Sequence, residues 1–208
     1  MRVDWLASML MLCLTSGAAW AAQEEQEAQA PLQCGTVAYP PEAVAYSLEG
    51  TTTVQYTVTA DGRVVEPTVK RSSGWKMLDE ATLEILAGCR LTRTPAAEAL
   101  AKPQVIQYVW SLDGEASRQA PVPGSCAGSD RFKDFRPLDT NASGPDGILV
   151  RAMIGANGDP YYVKAEPGDA PADLAGLAVA YLRSCRFALP PGERSPKDGA
   201  IFGRVLLN

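Results

Sequence analysis

Val54-Gln55-Tyr56-Thr57-Val58-Thr59-Ala60-Asp61-Gly62-Arg63-Val64 reads as a β-hairpin. Val54, Tyr56 and Val58 alternate with Thr53, Gln55, Thr57 and Thr59, the period-two pattern of a strand with one buried face. Asp61-Gly62 supplies the positive φ angles of a tight two-residue turn. Val64 to Val69 return, and Pro67, which cannot donate to a ladder, marks that return strand as an edge. The hairpin has a counterpart further along. Ala60-Asp61-Gly62 answers to Ala156-Asn157-Gly158, Tyr39-Pro40-Pro41 to Phe135-Arg136-Pro137, and Cys89-Arg90 to Cys185-Arg186, at a constant offset of 96 positions (158 − 62, 135 − 39 and 185 − 89) with no gap. Repetition at a fixed offset makes the chain two copies of one module. Each is under about 100 residues, a size at which hydrophobic burial alone is marginal.

Working outward from the hairpin, Pro41 to Leu48 predicts a short helix with proline in its first turn. Leu78, Thr82, Ile85 and Cys89 recur at helical spacing, so residues 77 to 88 read as an amphipathic helix lying on the sheet, with Cys89 at its buried end. Gln104 to Leu112 is a final strand. The second copy repeats these elements: Val150, Ala152 and Ile154 alternate, Asn157-Gly158 turns, Leu174, Ala178, Tyr181 and Cys185 form a helix stripe, and Ala200 to Leu207 is the last strand. The fold class is therefore α+β, two tandem modules each made of a short helix, a hairpin, an amphipathic helix and a final strand in a three-stranded antiparallel sheet. The polar, Pro- and Gly-containing residues 113–125 read as the linker, giving modules at 34–112 and 126–208.

The N-terminus carries an apolar run from Leu6 to Leu14, too short for a membrane span of roughly 20 residues. Ala19 and Ala21 are the small residues a signal peptidase expects, so residues 1–21 read as a cleaved secretory signal and residues 22–33 as a flexible leader. Apart from Cys13 in that signal, four cysteines remain, two per module, in a chain bound for an oxidising compartment. The equivalence of Cys89 and Cys185 selects the pairs Cys34–Cys89 and Cys126–Cys185. They close loops of similar length (89 − 34 = 55 and 185 − 126 = 59), each worth up to about 4 kcal/mol in chain entropy. With no histidine and no CxxC pair, the cysteines do not form a metal site. The net charge of −5 is spread out, which argues against nucleic acid or an anionic membrane surface as partner.

The positions retained in both copies are turn glycines, core aliphatics, prolines and the Cys-Arg pair, which hold up a fold. Catalysis needs positioned acids, bases or nucleophiles, and the candidates fail in turn. Ser72-Ser73 has no histidine partner, and its pairing with Lys70 or Lys76 is weaker than its reading as a polar turn. Asp79-Glu80 reads as first-turn acids favoured by the helix dipole ahead of a catalytic carboxylate pair. Gly155-Ala156-Asn157-Gly158 is a hairpin turn and too short for a phosphate loop. Arg90 and Arg186 read as cations at helix ends ahead of a ligand site. No enzyme activity and no cofactor are expected.

Tyr39-Pro40-Pro41-Glu42-Ala43, Glu49-Gly50-Thr51, Val58 to Val64, Ser72-Ser73-Gly74, Leu78-Asp79-Glu80-Ala81 and Cys89-Arg90-Leu91 with Pro95 together resemble the C-terminal domain of TonB-type energy transducers, in order and spacing, over residues 37–112. The second copy resembles it more weakly, with Pro167-Gly168-Asp169 in place of the Ser-Ser-Gly turn. The resemblance implies a periplasmic domain of a Gram-negative bacterium that binds an extended segment of another envelope protein at the edge of its sheet. Mapped here, that edge is Gln104, Val105, Ile106, Gln107, Tyr108, Val109 and Trp110. A force transducer of this type needs a membrane anchor and a long Pro-rich spacer. The predicted cleaved signal and short leader point instead to a soluble periplasmic adaptor, regulator or interaction module, with an anchored transducer as the alternative. The expected partner is a polypeptide, with neither nucleic acid nor a small-molecule cofactor.

Overall fold

The computed structural model describes residues 31–93, 100, 102–113, 119–188 and 198–208. The predicted signal and most of the leader lie outside the described residues. In the first module, β1 (Leu32–Gln33) pairs with β4 (Arg90–Leu91) beside the Cys34–Cys89 bridge. A one-turn helix α1 (Pro41–Ala45) precedes the hairpin strands β2 (Gly50–Val58) and β3 (Val64–Arg71), then helix α2 (Lys76–Ala87) and β5 (Gln104–Trp110). The antiparallel sheet runs β3-β2-β5. In the second module, β6 (Phe132–Pro137), β7 (Gly147–Ile154), β8 (Pro160–Glu166), helix α3 (Ala172–Ser184) and β9 (Gly199–Leu207) build a sheet ordered β6-β9-β7-β8, with Cys126 bonded to Cys185. Both disulfides join the partners that the repeat selected.

The duplication extends to backbone detail. Gly62 and Gly158 both take positive φ, 78° and 82°. The turn differs from expectation, however. Thr59 N–H donates to Arg63 O and Gly62 N–H to Thr59 O, so the loop has three residues, Ala60, Asp61 and Gly62, with only its glycine at positive φ. This is a type I turn closed by a left-handed glycine, which leaves Asp61 free of the left-handed region. A bulge interrupts β2–β3 between Gln55 and Thr57, and another interrupts β7–β8 between Arg151 and Met153, with Glu66 and Tyr162 left-handed opposite them. These positions again differ by 96 (162 − 66).

Two expectations for the second module fail. Its sheet has four strands, and β6 stands where the repeat predicts the approach to a short helix. The physical reason lies in Phe132 and Phe135, which are buried against Tyr181 and Phe187; the corresponding Tyr39 instead meets Trp110 edge-on. The 113–125 segment is also more than a tether, because Pro121 bridges Phe187 and Val122 N–H donates to Arg186 O.

The modules are fused, and residues 31–208 form one compact unit. One face of β7 (Ile148, Val150, Ala152, Ile154) packs on α3. Leu149, on its other face, joins Phe202 in a core with Ala43, Tyr46, Leu48, Trp75, Leu78 and Trp110 of the first module. A strand buried on both faces reads as a near-continuous apolar run, and Gly147-Ile-Leu-Val-Arg-Ala-Met-Ile154 is such a run interrupted only by Arg151. At the seam, Gly74 has φ of 95°, and a Cβ there would lie 2.1 Å from Thr140 O. Only glycine lets the two backbones approach this closely.

Buried ion pairs fasten the second module. Arg151 bonds Glu166 at 3.2 Å and, across the seam, Glu42 at 3.1 Å, while its guanidinium lies over the rings of Tyr46 and Trp75. Lys164 also reaches Glu42, at 2.7 Å. The bonds from Lys164, then Arg151, hold the Glu42 carboxyl below the usual range. Arg204, buried in β9, donates to Asp139 at 3.0 Å and to the carbonyls of Gly147, Asn141 and Ala142.

Candidate binding edge

β5 is held on one side only. It pairs with β2 from Gly50↔Trp110 to Tyr56↔Gln104, and no described strand lies on its other side. One of its faces points to the helices. Trp110 is buried, donates from Nε1 to Thr82 Oγ1 at 2.9 Å, and packs against Tyr39 and Tyr108. Tyr39 is fixed in turn by donating to Leu48 O at 2.6 Å, and burial, then the nearby Glu49 carboxylate, pushes its phenol up to about 12. The other face of β5 is open: Val105 is 51% and Val109 64% exposed. A polar hollow of about 310 Å³ is lined by Gln107 together with Thr51, Thr53, Arg71 and, from the second module, Thr140 and Asn141.

An open edge presents unpaired N–H and C=O groups that template another chain, and proteins blunt such edges with charges, prolines and bulges. The other described edges of the two larger sheets are blunted. β3 carries Glu66, Pro67, Lys70 and a bulge, β6 carries Lys133, Asp134, Arg136 and Pro137, and β8 carries Lys164, Glu166 and a bulge. β5, from Gln104 to Trp110, has no charge, proline or bulge. The second module shows what such an edge accepts. β9 corresponds to β5, and its free side is filled by β6, antiparallel, with Phe135 opposite Val205 and Arg136 opposite Arg204.

The rejected catalytic candidates have structural positions. Asp79 gathers hydrogen bonds from Thr52 Oγ1 (2.8 Å), Ser72 Oγ (2.5 Å) and Ser73 N–H (2.8 Å), knotting β2 and the polar turn to the first turn of α2. Ser73 donates to Trp75 O, and Lys76 pairs with Glu80. Arg186 bonds Asn157 O and lies 3.5 Å from Asp159, bracing the hairpin turn, whereas Arg90 stands in β4. Among the described residues no group of three or more Cys, Asp or Glu is placed to hold a metal ion, and no helix is long and apolar enough to cross a membrane. Sequence reasoning missed Arg151, Arg204 and Asp139. The signal was present, since an arginine inside each of two apolar strands is a charge that must be buried and paired.

The first module is a small α+β unit whose three-stranded sheet ends on one side in β5, a strand without charge, proline or bulge. Residues 36–110 match the family described as the Gram-negative bacterial TonB protein C-terminal, and this first module belongs to that family. The match ends at the end of β5 and leaves out the second module. Among solved structures, the chain is similar to the solution NMR structure of the Pseudomonas aeruginosa TonB CTD, at 20% identity and a TM-score of 0.32, over 40% of this chain and 89% of that one. No curated protein matches the chain.

Proposed function

We propose that this chain is a periplasmic interaction module that captures an extended segment of another envelope polypeptide on the free edge of β5, as an adaptor or regulator and not as an enzyme. The family match of the first module supports a protein-binding role in the Gram-negative envelope. The observation that carries the edge mechanism is the contrast between the two copies: β9 is filled by β6, and among the described edges of the two larger sheets β5 alone is left without a charge, a proline or a bulge. The second module then acts as a brace, its equivalent edge closed and its sheet supporting α1 and Trp75.

The test is recovery of partners from envelope extracts by the chain and by two edge variants. Ile106→Pro removes a backbone donor, and Val109→Lys places a charge on the exposed face of the edge. Both are expected to lose the partner while keeping the disulfides and the far-ultraviolet spectrum. Recovery equal to that of the unaltered chain would sink the edge mechanism. Mass spectrometry of the same material separates the released form, which begins at Ala22, from an anchored transducer that retains residues 1–21.

A further inference from the structure

The polar hollow between the modules is lined by side chains whose hydrogen-bonding capacity is unused. Arg71 stands opposite Thr53, and Thr53 opposite Gln107, so a guanidinium, a hydroxyl and an amide lie in one row across the open face of the first sheet. Thr51 lies on the same face, and Thr140 and Asn141 line the hollow from the second module. Among the described residues none of these six side chains makes a hydrogen bond or ion pair. The turn behind them is fully used, since Ser72 donates to Asp79 and Ser73 to Trp75 O. We propose that this hollow binds the carboxylate end of a polypeptide, with Arg71 holding the carboxylate. The planar fork of an arginine matches a carboxylate in a two-point bond. Arg71 is the one charged residue lining the hollow, and Asp79 lies behind the Ser72-Ser73 turn, a balance that suits a single negative charge and opposes a doubly charged phosphate. The amides of Gln107 and Asn141 and the threonine hydroxyls both donate and accept, as the peptide unit beside a terminal carboxylate requires. No aromatic ring lines the hollow for a base to stack on. Val109, opposite Thr51 and exposed, offers an apolar shoulder to the last side chain.

The hollow is a product of the fusion, because its second-module wall is pinned by the main chain. Thr140 O lies where a Cβ on Gly74 would be, Asn141 N–H donates to Asp139 at 3.0 Å, and Arg204 bonds the Asn141 carbonyl. The backbone of the wall is thus fixed while its side chains stay available, so little ordering is left for a ligand to bring about. A volume of about 310 Å³ stands at the small end of ligand pockets and suits a terminal residue with its peptide unit. The inference goes beyond the proposed function: it uses side chains on the face of the sheet, whereas strand capture uses the backbone groups along the free edge of β5.

Titration of the whole oxidised chain with N-acetyl-alanyl-leucine, followed by nuclear magnetic resonance, tests the site. The same dipeptide ending in a carboxamide, and sodium acetate, are titrated beside it. The free acid is expected to shift the side-chain amides of Gln107 and Asn141 and the Nε–H of Arg71. It should bind at least about tenfold more tightly than either the carboxamide or acetate. Arg71→Gln should abolish the preference for the acid over the carboxamide, and Asn141→Ala should weaken binding of the acid by about threefold or more. Both side chains are exposed and unbonded among the described residues, so both variants are expected to fold, and amide resonances far from the hollow that stay in place verify it. Acetate that binds as tightly as the dipeptide would assign the hollow to a free small acid and overturn the inference. Equal binding of acid and carboxamide, indifference to either substitution, or shifts confined to residues outside the hollow would overturn it as well. Capture of envelope partners is read separately through Ile106→Pro and Val109→Lys, so failure of the edge mechanism and failure of this site are distinguishable.

Discussion

Two residues at the seam and beneath β9 carry consequences larger than their size. Gly74 sits at φ of 95°, with Thr140 O and Leu149 Cδ2 where a Cβ would be. Gly74→Ala therefore combines backbone strain with a clash between two main chains, and is expected to destabilise the protein by at least about 2 kcal/mol, read as a lower urea midpoint. Asp139 is the counter-ion of Arg204, which is itself 2% exposed. Burial alone would raise its carboxyl, but the bonds from Arg204 and from Asn141 N–H, with the charges of Arg204 and Arg136, outweigh it and hold the group below the usual range. A depressed folded value means that this stabilisation is present above the ordinary carboxylate value, near pH 4, and is lost as pH falls through the folded one. Asp139→Asn should cost about 3–5 kcal/mol near neutral pH by leaving Arg204 buried without its partner charge. Urea unfolding at neutral pH and below about pH 3 should show this gap narrowing on the acid side; a gap that is constant with pH would show the carboxylate charge to be irrelevant.

At the scale of elements, β2, β3, α2 and β5 and their second-module counterparts were legible because alternation and helical spacing report a face buried by the same module. The disulfides were legible because the repeat left one consistent pairing. β6 was not. Phe132-Lys-Asp-Phe-Arg-Pro137 has no period-two pattern, since a bulge between Phe132 and Asp134 shifts its register. The offset also pointed to Tyr39-Pro40-Pro41, which enters a helix. The same stretch of the repeat thus takes two fates according to the aromatic contacts that receive it. The open edge was legible as a place, Gln104 to Trp110. Its contrast with a filled twin was not, because that depends on β6. The double burial of β7 is written in apolar residues on both faces, Val150, Ala152 and Ile154 on one and Leu149 and Met153 on the other, with Arg151 the one charge in the strand.

At the largest scale, residues 31–208 form one compact unit in which the two modules share a core. Trp75, Leu78 and Tyr46 on one side and Leu149 and Phe202 on the other share a core, and Glu42 is bonded to Arg151 and Lys164 across the same seam. Scanning calorimetry of the oxidised chain is expected to give a single transition whose calorimetric and van't Hoff enthalpies agree. Two resolved transitions would mean that the shared core does not couple the modules. The chain has four tryptophans, and two of them stand at the places that matter. Trp75 is fully buried at the seam with the Arg151 guanidinium over its ring, and Trp110 closes the buried end of β5 against Tyr39. Each place thus carries one fluorophore: the emission of Trp75 is expected to follow whether the two modules stay seated on each other, and that of Trp110 whether a strand adds beside β5 as proposed.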